Sequence, residues 1–131
     1  MKKHLPTIIM AVIFLCGLSL FLYPTVSNLY NEHLNNKLIG EYEETFAAIP
    51  SEEFNKAMQD AVDFNKNRTN ADKLQELGLT YEEVLNIADN GVMGYIEIPK
   101  ISVSLVIYHS TEETALQRGI GHLPDSHLPI G

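Results

Sequence analysis

GVMGYIEIPKISVSLVIYHSTEETALQRGIGHLPDSHLPIG, residues Gly91–Gly131, is where the apolar period of the chain changes from 3.6 to 2. From Val92 onward, Ile96 and Ile98 face one way while Tyr95 and Glu97 face the other, as in a half-buried strand. Pro99 cannot donate a ladder hydrogen bond, so it belongs at a strand end or edge. Ile101, Val103 and Leu105 then alternate with Ser102 and Ser104, and Leu105–Tyr108 reads as a second strand. Thr111 is placed to cap a short helix, Glu112–Arg118, which Gly119 can close. Two or three strands leave edges unpaired, and an isolated hairpin is marginal in water. The β part is therefore expected to be poorly stable unless another chain completes it.

Upstream the pattern is helical. Asp89-Asn90-Gly91 is turn chemistry, because Asn and Gly tolerate positive φ, and it marks the boundary with the β part. Thr80 followed by Glu83 matches a capping box and predicts a short helix over Tyr81–Ala88, with Tyr81, Val84, Leu85 and Ala88 on one face. Asn67–Asp72 reads as a polar break. Before it, Ser51 is expected as the N-cap of a helix that runs to about Asn67, with Glu52 and Glu53 in the first turn, where the helix dipole favours negative charge. Phe54, Met58, Ala61 and Val62, with Asn65 in phase, mark its core-facing stripe. Val26–Ala48 reads as another helix, with Leu29, Leu34, Leu38, Tyr42 and Phe46 about four apart and Pro50 ending it.

Thr7–Tyr23 holds seventeen residues without a charge, and Leu5 and Pro6 extend the run to 19. That is close to the roughly 20 residues needed to cross a bilayer core. Pro24 is expected to break this segment from the helix that follows. Lys2 and Lys3 precede the run and no cation follows it closely, which predicts a cytoplasmic N-terminus and an extracellular remainder. An uncleaved signal anchor is the reading adopted, because the apolar run exceeds a usual signal-peptide core and no clean A-x-A site follows Tyr23; cleavage is the alternative.

Of the 131 residues, those beyond residue 23 carry 7 Lys/Arg against 17 Asp/Glu, a net charge of −10. Such an exterior argues against nucleic acid, whose phosphates need clustered cations. It argues equally against anionic head groups along that surface and suits a soluble extracellular part. Cys16 is the only cysteine and lies in the apolar run, so no intrachain disulfide and no Cys-x-x-Cys site exist. It reads as a small apolar filler, not a nucleophile.

Three histidines fall in the β part. His109, His122 and His127 have no cysteine to activate, so no Cys–His pair can be assembled from them. Their separations of thirteen and five match no standard zinc pattern. Ser102, Ser104 and Ser110 lack a G-x-S-x-G elbow, a base and an orienting group. Gly91, Gly94, Gly119 and Gly121 are split across turns and make no phosphate-binding loop.

Four ordered pieces of this region resemble the opening of the catalytic domain of class C sortases, the pilin-polymerising branch of that Gram-positive cysteine transpeptidase family. They are MGYIEIPKI at Met93–Ile101, IYHST at Ile107–Thr111, GIGHL at Gly119–Leu123 and LPIG at Leu128–Gly131. LYPTVSNLYN at Leu22–Asn31 resembles the family's juxtamembrane segment.

The resemblance implies an α+β chain of four parts: a cytoplasmic tip over residues 1–4, a transmembrane signal anchor over 5–23, an extracellular helical lead-in over 24–90, and an incomplete, sortase-type closed β-barrel from 91 to 131. In the family the catalytic histidine, cysteine and arginine follow the LPIG-like segment. The resemblance therefore implies no catalytic, cofactor-binding or metal-binding residue here, with His122 matching a non-catalytic family histidine. The 131 residues are expected to be inactive alone. The family's partners are pilins or other surface proteins bearing an LPxTG-type signal, and residues 5–23 would meet membrane lipid. Leu128–Gly131 lacks the Thr-Gly and hydrophobic tail of such a signal, so it is not a substrate. The family's lid usually carries an Asp-Pro-aromatic motif, which is missing here. Asp63-Phe64 lacks the proline, so a lid and a plain helical spacer stand as alternatives for the lead-in. The competing reading of the chain is a non-enzymatic, membrane-anchored extracellular module or the product of a decayed gene.

Overall fold

The computed structural model describes residues 4–130. Lys2 and Lys3, which carry the orientation reading, and the closing Gly131 lie outside the described residues. The order of elements is α1 (Leu5–Ala48), α2 (Ser51–Asn67), α3 (Ala71–Leu77), β1 (Val92–Ile98), a 3-10 turn (Pro99–Ile101), β2 (Val103–Tyr108), α4 (Glu113–Leu116) and β3 (Ile120–Gly121). The chain divides into two units, one ending at His33 and the other beginning at Leu34.

The first unit is the N-terminal part of α1. Its apolar side chains are exposed all round, with Leu20 and Phe21 at 78% and 77%. By length and composition this helix can cross a membrane. Ser19 returns its hydroxyl to the Leu15 carbonyl at 2.8 Å, so the one serine of this apolar stretch is satisfied within its own helix. Pro24 does not break the helix, contrary to the sequence reading: it lies inside α1. A proline removes one backbone donor and crowds the preceding turn, yet long apolar helices accommodate it by local adjustment.

The second unit contains the rest of α1, the shorter helices and the sheet. α2 starts at Ser51, so Ser51 is its first helical residue and Pro50, not Ser51, holds the N-cap position without any side-chain cap. Of its expected stripe, Ala61 is buried and Met58 packs beside it, and Phe64, outside that stripe, is buried as well. The expected polar break holds over Arg68–Asn70, and α3, which the sequence reading did not foresee, begins at Ala71. The Asn70 side chain accepts from the Lys73 backbone N–H at 3.1 Å and nucleates the helix, and Gly78 at φ +67° ends it.

The helix expected over Tyr81–Ala88 is a run of turns instead. Thr80 donates to the Glu83 carboxylate at 2.8 Å, side chain to side chain, so the capping residues meet but no backbone donor is capped. Val84 N–H still reaches the Thr80 carbonyl at 3.1 Å. Leu85 then enters the left-handed region at φ +64°, which stops the helix. For a bulky residue that conformation costs roughly 1–2 kcal/mol. Burial of Val84 and Leu85, at 4% and 7% exposure, offsets it.

β1 and β2 form an antiparallel hairpin in which Ile96 faces Leu105 and Ile98 faces Val103, with an irregularity between Val92 and Gly94. β3 joins β2 in parallel through Ile107–Ile120 and Tyr108–Gly121, giving the order β1-β2-β3. Among the described residues this is an open three-stranded sheet, not a closed barrel. The hairpin is buried only at its base: Val92 and Val106 are fully enclosed, whereas Ile96 and Ile98, expected to be half-buried, are each 40% exposed. α4 is shorter than the expected Glu112–Arg118, and Glu112, not Thr111, holds its N-cap position; the hydroxyl of Ser110 takes the Glu112 N–H at 3.1 Å. Gly119 and Gly121 permit the return to β3: a Cβ would lie 2.6 Å from the Val106 carbonyl oxygen at the first and 2.5 Å from that of Ser110 at the second.

Asn35, only 3% exposed, ties α1 to this sheet. Its amide nitrogen donates to the Arg118 carbonyl at 2.6 Å, and its oxygen accepts from Val106 N–H at 3.3 Å. Asn35→Ala is expected to lower stability by about 2 kcal/mol or more, since buried groups left unpaired each cost about 1–3 kcal/mol. Lys37→Ala, at a surface pair whose side chains are 65% and 48% exposed, serves as the control and should change it little. Denaturant unfolding of the full chain in detergent micelles measures both.

Candidate functional site

Tyr81 is the hub of the most densely connected polar cluster in the second unit. The turn over 79–90 carries it to the base of the hairpin, where it packs against Phe64 of α2 at 6.3 Å between ring centroids. His109, just after β2, meets it edge-on at 5.2 Å and 65°. His122, just after β3, stacks on it at 5.8 Å and 25°. The sequence places His109 in the turn after the second strand and His122 after Gly121; the parallel pairing of β2 with β3 brings them together.

His122 is buried and fully engaged. Its Nδ1 is 3.0 Å from the Tyr81 hydroxyl, which also lies 3.0 Å from the His122 carbonyl. Its Nε2 is 2.9 Å from the His127 carbonyl and 3.0 Å from the Ser126 hydroxyl. Ser126 itself donates to the Leu123 carbonyl at 2.8 Å. The His127 carbonyl can only accept, so Nε2 carries a hydrogen toward it, while the Tyr81 hydroxyl donates to the His122 carbonyl. Burial, and then the neighbouring Glu82, raise the Tyr81 hydroxyl above its usual pKa, keeping it a proton donor at neutral pH.

His109 contrasts with it. Both ring nitrogens are buried without a hydrogen-bond partner. Burial pushes its pKa below the ordinary histidine value, and the neighbouring His122 acts in the same direction while Glu82 opposes it. The ring is held neutral and apolar in use, as a wall of the cluster.

The segment after β3 is clamped to α2. Asn65 donates its amide to the Leu128 carbonyl at 3.2 Å and accepts the Leu128 N–H at 2.7 Å, as a strand neighbour would. Arg68 donates to the Asp125 carbonyl. Leu128 is thereby 3% exposed in the core formed by Ala61, Phe64, Val84, Leu85 and Met93. Asn65 and Asn35 were the functional side chains least visible beforehand. The available signal was an Asn in phase with an apolar stripe: Asn65 with Phe54, Met58 and Ala61, Asn35 with Leu38 and Tyr42.

The remaining candidates are scattered. His127 is exposed and contributes only its carbonyl to His122. Ser102 is exposed at φ +53° after the 3-10 turn, Ser104 sits on β2 opposite Glu97, and Ser110 serves the α4 turn. Cys16 is exposed in the first unit, and the histidine cluster belongs to the second. No group of three or more His, Cys, Asp or Glu arranged to hold a metal ion occurs among the described residues. The cluster joins Tyr81, His122 and the Ser126 hydroxyl by hydrogen bonds, and it holds no thiol. In form it is a polar seam that welds lead-in, sheet and Leu128 segment.

Acid should loosen this seam. The folded state holds His109 below its unfolded pKa, so its contribution is present above about pH 6.5 and is lost as pH falls from there through the folded value. Tyr81, Glu82 and His122 are the titratable groups that face it. Melting of the full chain between pH 7.5 and 5 should drop more steeply for the wild type than for His109→Phe. Asn65→Ala is expected to free the Leu128 segment, read as faster amide exchange at Leu128 with little change in α2.

No protein-family model matches the chain. No curated protein matches it either. A solved structure does: sortase C1 from Streptococcus agalactiae, at 33% identity and a TM-score of 0.61, over 72% of this chain and 51% of the other. The chain thus spans about half the length of the solved structure it matches.

Proposed function

We propose, starting from the sortase-like fragment that this chain carries, that it is the N-terminal part of a membrane-anchored class C sortase. In this reading residues 5–23 are an uncleaved signal anchor with the N-terminus in the cytoplasm. Residues 24–90 are an extracellular helical lead-in, and residues 91–131 begin the β-barrel that such an enzyme closes with further strands. The observation that carries the reading is the fit at the sheet. Beside the 33% identity to sortase C1 over 72% of the chain stand a hairpin and a parallel third strand with open edges and with Ile96, Ile98 and Ile101 exposed at one end. An unpaired edge with uncovered apolar side chains is what the first strands of an incomplete barrel present.

The enzyme's role would be transpeptidation: a thiolate attacks the LPxTG-type signal of a pilin or surface protein, and an amine of an acceptor resolves the acyl-enzyme. That step needs an activated thiolate and an oxyanion site. Cys16, in the apolar helix, suits neither. The segment supplies anchor, spacer and scaffold.

The full chain, purified in micelles, is expected to show no turnover of an LPxTG peptide with an amine acceptor. Joined at residue 130 to the complementary C-terminal half of sortase C1 from Streptococcus agalactiae, it should gain thiol-dependent turnover. Turnover by the chain alone would refute the assignment of the chemistry elsewhere. A folded but silent fusion would favour a non-enzymatic, membrane-anchored module.

A further inference from the structure

Where α1 meets β1, Tyr42, Glu43, Phe46 and Tyr95 line a small open cavity. Tyr42 and Phe46, one helical turn apart, lie nearly parallel, at 6.1 Å between centroids and 24°. Tyr95 stands almost perpendicular to Tyr42, at 6.2 Å and 81°. Tyr42 and Phe46 thus stack, Tyr95 meets Tyr42 edge-on, and Phe46 in turn meets Phe54 at 5.0 Å and 74°. The corner is held in place from both sides: Tyr42 donates its hydroxyl to the Met93 carbonyl at 3.4 Å, and Tyr95 donates its own to Glu43 Oε1 at 2.7 Å. The second bond fixes a carboxylate at the rim. Among the described residues no ion pair involves Glu43, and the nearby Lys37 is paired with Glu41.

Aromatic faces carry negative potential and attract cations, most of all weakly hydrated ones. A neutral apolar guest would gain nothing from the carboxylate. A small, strongly hydrated cation would lose its water shell against three rings. A cation covered with methyl groups satisfies both surfaces. We propose that Tyr42, Phe46, Tyr95 and Glu43 form a binding site for a quaternary ammonium group of the choline type. The acidic exterior, with 17 Asp/Glu against 7 Lys/Arg beyond residue 23, favours approach of such a cation. The site is independent of the transpeptidase reading. The same group can come from a soluble choline-bearing compound or from a choline lipid headgroup.

The test uses the full chain in nanodiscs of phosphatidylglycerol, with tyrosine-ring NMR as the readout. Choline should give saturable shifts at Tyr42 and Tyr95. The neutral isostere 3,3-dimethylbutan-1-ol should bind more weakly by about threefold or more, the order expected of an exposed cation–π contact. Glu43→Gln and Phe46→Ala should each weaken choline binding while leaving the Asn35 and Asn65 amide signals in place. In phosphatidylcholine nanodiscs, shifts already present without added choline would assign the headgroup as the source, and unchanged spectra would assign a soluble one. Equal binding of choline and its isostere, or no saturable shift in either disc, overturns the proposal.

Discussion

Asn35 and Asn65 place side-chain amides against backbone groups that the three-stranded sheet cannot pair by itself, and the rest of the second unit depends on that. The sheet is short, β3 is two residues long, and a hairpin of this size is marginal alone. Asn35 binds Val106 N–H and the Arg118 carbonyl, fixing β2 and the approach to β3 against α1. Asn65 pairs twice with Leu128, fixing the segment after β3 against α2. An amide side chain carries one donor and one acceptor side by side, as a peptide unit does, so it can stand in for a missing strand neighbour.

Once these bonds hold the sheet base, burial follows. Val92 and Val106 are enclosed, and Met93 and Leu128 enter the cluster with Ala61 and Phe64. Tyr81 then bridges the parts, its ring between Phe64 and the two histidines and its hydroxyl at His122. Coupled polar groups in a partly dry seam reinforce one another, and the unpartnered ring of His109 marks the place where that seam tolerates no charge. The far end of the hairpin lacks any such support and leaves Ile96 and Ile98 half in solvent.

Much of the architecture was legible in the residues because it rests on local periodicity. The helical face of α2, the hairpin of β1 and β2, the turn at Asp89–Gly91 and the apolar helix at the N-terminus all follow from the spacing of apolar side chains. The resemblance carried by Met93–Ile101 and Gly119–Leu123 pointed to the fold that sortase C1 shares. The misreadings share one cause. Pro24 inside α1, the short α3 and the turns over Tyr81–Ala88 are decided by what surrounds them. Thr80 and Glu83 have the spacing of a capping box, yet Leu85 turns left-handed because its side chain is buried there.

The sequence by itself determined the α+β order, the long apolar helix, the acidic exterior and the absence of a thiol from the β part, because composition and period are properties of neighbours along the chain. Only the tertiary structure decided which polar residues work together. His109 and His122 are thirteen residues apart, and Tyr81 precedes both, yet parallel pairing of β2 with β3 gathers them around one tyrosine ring. Asn35 lies 71 residues from Val106, and Asn65 lies 63 from Leu128. Hydrogen bonds and ring contacts act over a few ångströms, so partners that distant in sequence have no signature until the chain has folded.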